Sequence, residues 1–275
     1  MRNFAIFVNW VLKRRYKIKI TKGYELLKGG KSRLYLPNHP AEIDPIILMS
    51  EIVKFHNAAP MISAMYYNLP IAKSLLKKIG AVAVADLDQG VRDITVMDKI
   101  REGAQRAYKE GNSILLYPAG QLKSQGHEKL FNKQSAYALV KEAPDDVLII
   151  GVRTYGIWGS RWSRAWIGVS PPFFKTLLIS IFYFFANIVF FMPKRSVEIE
   201  FYDITKEAKE KVNSLARREF NAYLEEFYNV RGAEKARFIK YHFLSPKLKR
   251  KLPKNIKSAI SDNIKELQFS KIDNK

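Results

Sequence analysis

Short β-prone runs and helix-period segments alternate along the middle of the chain. Runs rich in branched and aromatic residues lie at Arg33–Leu36, Ala81–Ala85, Ser113–Tyr117, Val147–Arg153, Ala165–Val169 and Val197–Tyr202. Between several of them, apolar residues recur at helical spacing, over Ile46–Phe55, Leu69–Lys78, Ile94–Glu110 and Gln134–Lys141. Alternation of this kind from Ser32 onward predicts an α/β fold: one layered domain over 32–232, with a mixed sheet flanked by helices. Near its end, Lys206–Tyr228 predicts an amphipathic helix with Val212, Leu215, Phe220, Leu224 and Phe227 on its apolar positions.

Two apolar segments stand outside that alternation. The first, Phe4–Leu12, is aromatic-rich and is followed by Lys13, Arg14, Arg15, Lys17 and Lys19. A secretory signal has its positive charge first and small residues at a cleavage site, so the order here is wrong for one. An apolar helix next to a basic cluster fits an interfacial anchor, and 1–31 is expected to be a basic amphipathic segment that associates with membranes. The second, Thr176–Met192, runs 17 residues without a charge between Lys175 and Lys194–Arg195. That is at the lower limit of about 17–25 residues for a membrane-spanning helix. Strand-like runs on both sides argue against a single crossing, which would put two pieces of one sheet on opposite sides of a bilayer. Positive residues at both ends favour both staying on the cytoplasmic side. The stretch 173–192 is therefore expected to be a membrane-facing helix or short hairpin, with a buried core helix as the plainer alternative.

Charge sharpens this division. The 275 residues carry 47 Lys and Arg against 26 Asp and Glu, a net of +21. Residues 1–31 and residues 233–275 hold +8 each, so the basic character belongs to the two ends. The expected partner is an anionic membrane surface, with the protein monotopic on its cytoplasmic face; 233–275 reads as a basic C-terminal tail. Charge alone also suits nucleic acid, but no helix-turn-helix, zinc-finger or aromatic RNA-binding signature accompanies it, so no nucleic-acid partner is expected. Cysteine is absent. Disulfides, thiolate metal sites and a Cys nucleophile are thereby excluded. The dinucleotide, Walker A, zincin and nucleophile-elbow motifs are missing too; His127 is followed by Glu128, but no second His stands at zincin spacing.

The chemistry concentrates in LYLPNHPAEIDPIIL. A β-run ends at Pro37, His39 sits in the next turn, and Asp44 opens an apolar helix. Residues five apart do not face one another on a helix, so this pair meets only across a turn, which Pro40 and Pro45 favour. An Asp on the imidazole Nδ1–H fixes the tautomer and leaves Nε2 as a base. The plainer alternative is an Asp that caps the helix.

Downstream stand GAVAVAD at Gly80–Asp86, LLYPAGQLKS at Leu115–Ser124 and VLIIGVRTYG at Val147–Gly156. This succession resembles the glycerolipid (lysophospholipid) acyltransferase family over about residues 30–205, whose blocks read N-H-x4-D, G-x-I-x-V-x-R, F-P-E-G-T-R-S and an apolar strand. With RTYGIWGSRWSRAW at Arg153–Trp166, it looks like the acyltransferase half of proteins that fuse this domain to an acyl–carrier-protein synthetase. The resemblance implies that His39 is the general base, with Asp44 orienting it. It implies attack of a lysolipid hydroxyl on an acyl thioester, acyl-ACP or acyl-CoA, with no covalent enzyme intermediate, metal or cofactor. Asn38, Pro118, Gly120, Gln121, Lys123 and Arg153 become candidate substrate-binding residues, and Arg161 and Arg164 further candidates for phosphate.

Departures matter here. The family Glu of the third block is Ala119 and its Arg is Leu122, while Asp86 replaces the Arg of the second block. Arg grips phosphate in a bidentate fork, so these losses point away from a phosphate-monoester acceptor and towards a zwitterionic or otherwise modified head group such as lysophosphatidylethanolamine. They also suggest the alternative of a catalytically silent relative that binds lipid or acyl carrier. Retention of both His39 and Asp44 speaks against it.

Overall fold

The computed structural model describes residues 2–68, 70–84, 96–190, 193–237 and 239. Seven strands form one sheet: β1 (Tyr16–Lys22), β2 (Arg33–Pro37), β3 (Ala58–Ser63), β4 (Val82–Val84), β5 (Ser113–Leu115), β6 (Leu148–Tyr155) and β7 (Arg195–Asp203). Their order is β1-β7-β6-β2-β5-β3-β4, and every neighbouring pair is parallel except antiparallel β6 and β7. The expected mixed sheet flanked by helices is thus present.

Side chains alternate across the pleat, and that alternation divides the core. From β2, Leu34 and Leu36 join Ile114, Leu116 and Ile149 under α5 (Val96–Lys109), α6 (Ser135–Glu142), α8 (Thr205–Ser214) and α9 (Arg217–Tyr228). Tyr35 points the other way, to Leu115, Ile150 and Val152, against α2 (Asp44–Ile52) and α1 (Arg2–Arg15). Gly151 in β6 lets α9 approach, because a Cβ there would lie 2.6 Å from Phe227. Two short helices, α3 (Ala64–Tyr67) and α4 (Pro70–Lys78), follow β3.

Four expectations are corrected. Ala165–Val169 forms turns rather than a strand; Gly168 is left-handed at φ 79 and two prolines follow at 171 and 172. The stretch Lys206–Tyr228 is two helices, α8 and α9, because Leu215 and Ala216 are extended. The sheet has two further strands. β3 was hidden by its alanines and Pro60. β1, whose Lys17, Lys19 and Lys22 made it read as part of a basic anchor, pairs in parallel with β7, so the sheet starts inside 1–31.

The apolar segment is a helix, α7 (Phe173–Phe190), lying beside α1. Among the described residues no helix is long and apolar enough to cross a membrane. The buried-core alternative does not hold for α7. Phe174, Leu177, Leu178, Ile181, Phe182 and Phe185, three or four apart on one stripe, are exposed, Phe182 to 68%. On α1, Phe4, Phe7 and Trp10 are likewise exposed while Ala5, Asn9 and Leu12 turn inward. Asn9 donates to Ser50 Oγ (3.1 Å) and Glu51 Oε1 (2.6 Å), fixing that orientation.

Candidate active site

Parallel strands β2 and β5 end side by side, and the site lies just beyond their carboxyl ends, where open α/β sheets place ligands. β2 stops at Pro37. Asn38 then ties its end to β6: its Nδ2 donates to Thr154 O (3.0 Å), and its Oδ1 accepts from Thr154 N–H (2.7 Å). His39 follows on an irregular path through Pro40 that closes with Asp44 N–H on Ala41 O (3.2 Å), and Pro45 then starts α2.

That turn brings the two residues together. His39 Nδ1 lies 3.1 and 3.2 Å from the two carboxylate oxygens of Asp44, and Asp44 Oδ2 also accepts from Ala41 N–H (3.3 Å). Asp44 is 1% exposed, so its charge acts in a poorly screened environment. Tyr117, just past β5, covers the imidazole with ring centroids 4.2 Å apart. Burial alone lowers the His39 pKa. The carboxylate and hydrogen bond of Asp44, with the charges of Glu128 and Glu42, more than offset this and leave it raised. Burial pushes Asp44 up, opposed by the same imidazole.

The loop after β5 holds both backbone groups of His39. Lys123 N–H donates to His39 O (2.9 Å), and His39 N–H donates to Glu128 Oε1 (3.1 Å). Within this loop Pro118 is buried, Gly120 is exposed at φ 60, and Gln121 is half-buried. Ala119 and Leu122 are both buried, packed as core side chains. The Lys123 ammonium is buried, paired with Glu234 and 5.3 Å from the Trp158 ring centroid. Glu234 also accepts from Gly156 N–H (2.7 Å), and its own N–H donates to Gly126 O (2.9 Å). The first residues of the expected tail therefore pack against the loops around the site.

The remaining candidates are placed differently. Arg153 is not brought to His39: it donates to Phe227 O (2.6 Å), stacks on Tyr202 and Phe227, and lies 4.0 Å from Glu200. Arg161 reaches Tyr183 OH (3.3 Å), and Arg164 reaches Ser170 Oγ (3.2 Å). Arg164 also lies near Glu42, whose N–H is tied to Trp162 O (3.0 Å). Glu42 is pushed up to about 7 by burial, against the Tyr66 hydrogen bond, His39 and Arg164. Asp86 lies outside the described residues.

Sequence reasoning missed Glu128, which is 2% exposed. Its backbone is held by Asn229 in both directions: Glu128 N–H to Asn229 Oδ1 (2.8 Å) and Asn229 Nδ2 to Glu128 O (2.9 Å). Asn229 belongs to a stripe with Asn221 and Glu225. Asn221 Nδ2 donates to Phe131 O (3.0 Å) and Lys133 O (2.7 Å), and Glu225 Oε1 accepts from Leu130 N–H (2.7 Å) and Phe131 N–H (3.3 Å). The spacing of four was readable in the sequence as one polar face of a helix. That the face turns inward was not.

A model of the acyltransferase family matches residues 18–155, half of the chain. Among solved structures, the chain is similar to the crystal structure of the 1-acyl-sn-glycerophosphate (LPA) acyltransferase PlsC from Thermotoga maritima. The identity is 17% and the TM-score 0.47, over 81% of this chain and 80% of that one. No curated protein sequence matches it.

Proposed function

The chain belongs to the acyltransferase family, and from that premise we propose that it moves a fatty acyl group from acyl-ACP or acyl-CoA to a hydroxyl of a lysolipid at a membrane surface. The observation that carries this reading is the contact of His39 Nδ1 with the buried Asp44 carboxylate, which leaves Nε2 as the proton-accepting atom. The acceptor hydroxyl attacks the thioester carbonyl carbon as Nε2 takes its proton. The tetrahedral intermediate then collapses, the C–S bond breaks, and the thiolate leaves with the proton from the imidazolium. The products are the acylated lipid and the free thiol. No enzyme nucleophile is required, because the thioester is already activated.

The exposed stripes of α1 and α7 support a lipid surface as the meeting place, and Lys13, Arg14 and Arg15 at the end of α1 suit anionic head groups. Ala119 and Leu122 offer no cation, which supports an acceptor other than a phosphate monoester; Glu42, which feels the charge of His39, suits the ammonium of a zwitterionic head group. Substrate contacts are thus proposed for Gly120 and Gln121, the accessible residues of the 118–123 loop, rather than for Arg153.

The test is acyl transfer by purified protein and by His39→Ala, with both donors against lysophosphatidic acid and lysophosphatidylethanolamine. Loss of general-base catalysis is expected to cost about 10²–10⁴-fold in rate. In the intact protein kcat/KM should fall as pH drops through the His39 value, which lies above 6.5, because only the neutral imidazole takes a proton. A folded protein that binds vesicles and transfers nothing from either donor would be the silent lipid-binding relative. Preference for lysophosphatidic acid would overturn the acceptor assignment.

A further inference from the structure

We propose that Glu128 is a positioning residue of the active site: its carboxylate, delivered by the polar stripe of α9, holds the backbone amide of His39 and thereby sets where the imidazole stands. The catalytic consequence rests on the functional reading above; the placement itself does not. His39 Nδ1 is fixed by Asp44, but that contact constrains only the ring. The backbone carrying the ring is held at its carbonyl by Lys123 N–H and at its amide by Glu128 Oε1. Only the second of these is a side-chain contact, and therefore open to substitution.

Three features make Glu128 more than a filler. It is buried, and a carboxylate is rarely placed in the interior unless hydrogen bonds or paired charges offset its desolvation. Its Oε2 is buried with no hydrogen-bond partner, so the side chain is not satisfied as a structural ion pair would be. Its backbone is clamped on both sides by Asn229, while Asn221 and Glu225 hold residues 130–133 of the same loop. Phe131, at the centre of that clamp, sits at φ 52, a conformation a bulky residue adopts only when its surroundings impose it. A helix face of three polar residues is thus devoted to the path of one loop, and that loop's charged end touches the catalytic turn.

The charges around the pair are few and of known sign. Glu128 faces Lys123 and His39, which favour its ionised form, and Asp44, which opposes it; burial dominates and lifts it to about 7. His39 faces Asp44, Glu128 and Glu42, with the Tyr117 ring tilted over the imidazole. Tyr117 and Tyr228, which feel the Glu128 charge, are held protonated far above neutrality by burial. In its ionised form Glu128 stabilises the imidazolium, in either form its oxygen anchors the amide, and the two effects separate by substitution. Glu128→Gln keeps an acceptor for the amide and removes the charge. Glu128→Ala removes both.

The experiment follows His39 by NMR in the intact protein and both variants, assigning its signals with His39→Ala, and measures kcat and KM alongside. In Glu128→Gln the His39 amide stays protected, and the imidazole titration and the acid limb of kcat/KM both move down by roughly half to one pH unit. In Glu128→Ala the amide loses its hydrogen bond and exchanges at least tenfold faster. There kcat falls by roughly 10–100-fold with KM little changed, the expected effect of displacing a catalytic group by about an ångström. Asn229→Ala, which frees the loop without touching the carboxylate, gives an intermediate loss and carries the test if Glu128→Ala does not fold. If amide protection and His39 titration are unchanged in both Glu128 variants, the proposal is wrong. If they change as expected while the intact protein transfers no acyl group, the positioning contact stands and the proposed function fails.

Discussion

Helices α7 and α9 invert the usual relation between composition and burial. α7 is apolar nearly throughout, yet its stripe from Phe174 to Phe185 faces outward. α9 is rich in charge and amide, yet Asn221 is 2% exposed and the Asn221–Glu225–Asn229 face is turned into the protein to hold a loop. α1 repeats the inversion on a smaller scale, with Asn9 inside and Phe7 and Trp10 outside. Burial follows from what a face finds opposite it. α9 meets a loop with unpaired backbone groups that only polar side chains satisfy, because a buried unpaired N–H or C=O costs about 1–3 kcal/mol. The α7 stripe finds no such partner among the described residues and stays exposed, as apolar patches at interaction surfaces do.

The comparison breaks most visibly in the core beneath α9. Phe220→Ala removes a fully buried ring packed against Tyr137 and should cost about 3–5 kcal/mol in denaturant unfolding. Phe182→Ala, the same chemical change on the exposed stripe, should fall within about 0.5 kcal/mol. Equal losses would mean that α7 is packed against protein. A change of intermediate size is expected in vesicle binding. Substituting both Phe182 and Phe185 by Ser should weaken partitioning onto vesicles containing anionic lipid by tenfold or more, since burying each aromatic is worth about 1.5–3 kcal/mol. Unchanged partitioning at matched salt would remove α7 from the lipid surface. A small effect is also expected at Lys129, whose exposed ammonium lies 2.9 Å from Glu225 Oε2. Lys129→Ala should change stability by less than about 1 kcal/mol, as for surface ion pairs generally, because the clamp depends on Glu225 Oε1 and backbone N–H groups.

Much of this was legible in the sequence where interactions are local. The alternation of strands and helices located β2, β4, β5, β6 and β7 and helices α2, α4, α5 and α6, because side-chain period reports directly on which face is buried. The H-x4-D spacing with its two prolines required a turn, and a turn of that length brings His39 and Asp44 into contact. A net charge concentrated at the two ends, and an apolar stretch of spanning composition but marginal length, were equally plain.

Only the tertiary structure decided the rest. β1 was disguised by its lysines, since a parallel edge strand needs a partner 179 residues away, as Tyr16 has in Arg195, before its pattern means anything. Arg153 and Lys123 looked available for substrate, and packing placed one on Phe227 and Tyr202 and the other against Glu234. Glu128 was one acid among 26 until the loop after β5 set it against the amide of His39. Periodicity and short motifs record contacts between near neighbours in the chain. The partner of a buried charge lies wherever the fold brings the chain back, and no local pattern encodes that return.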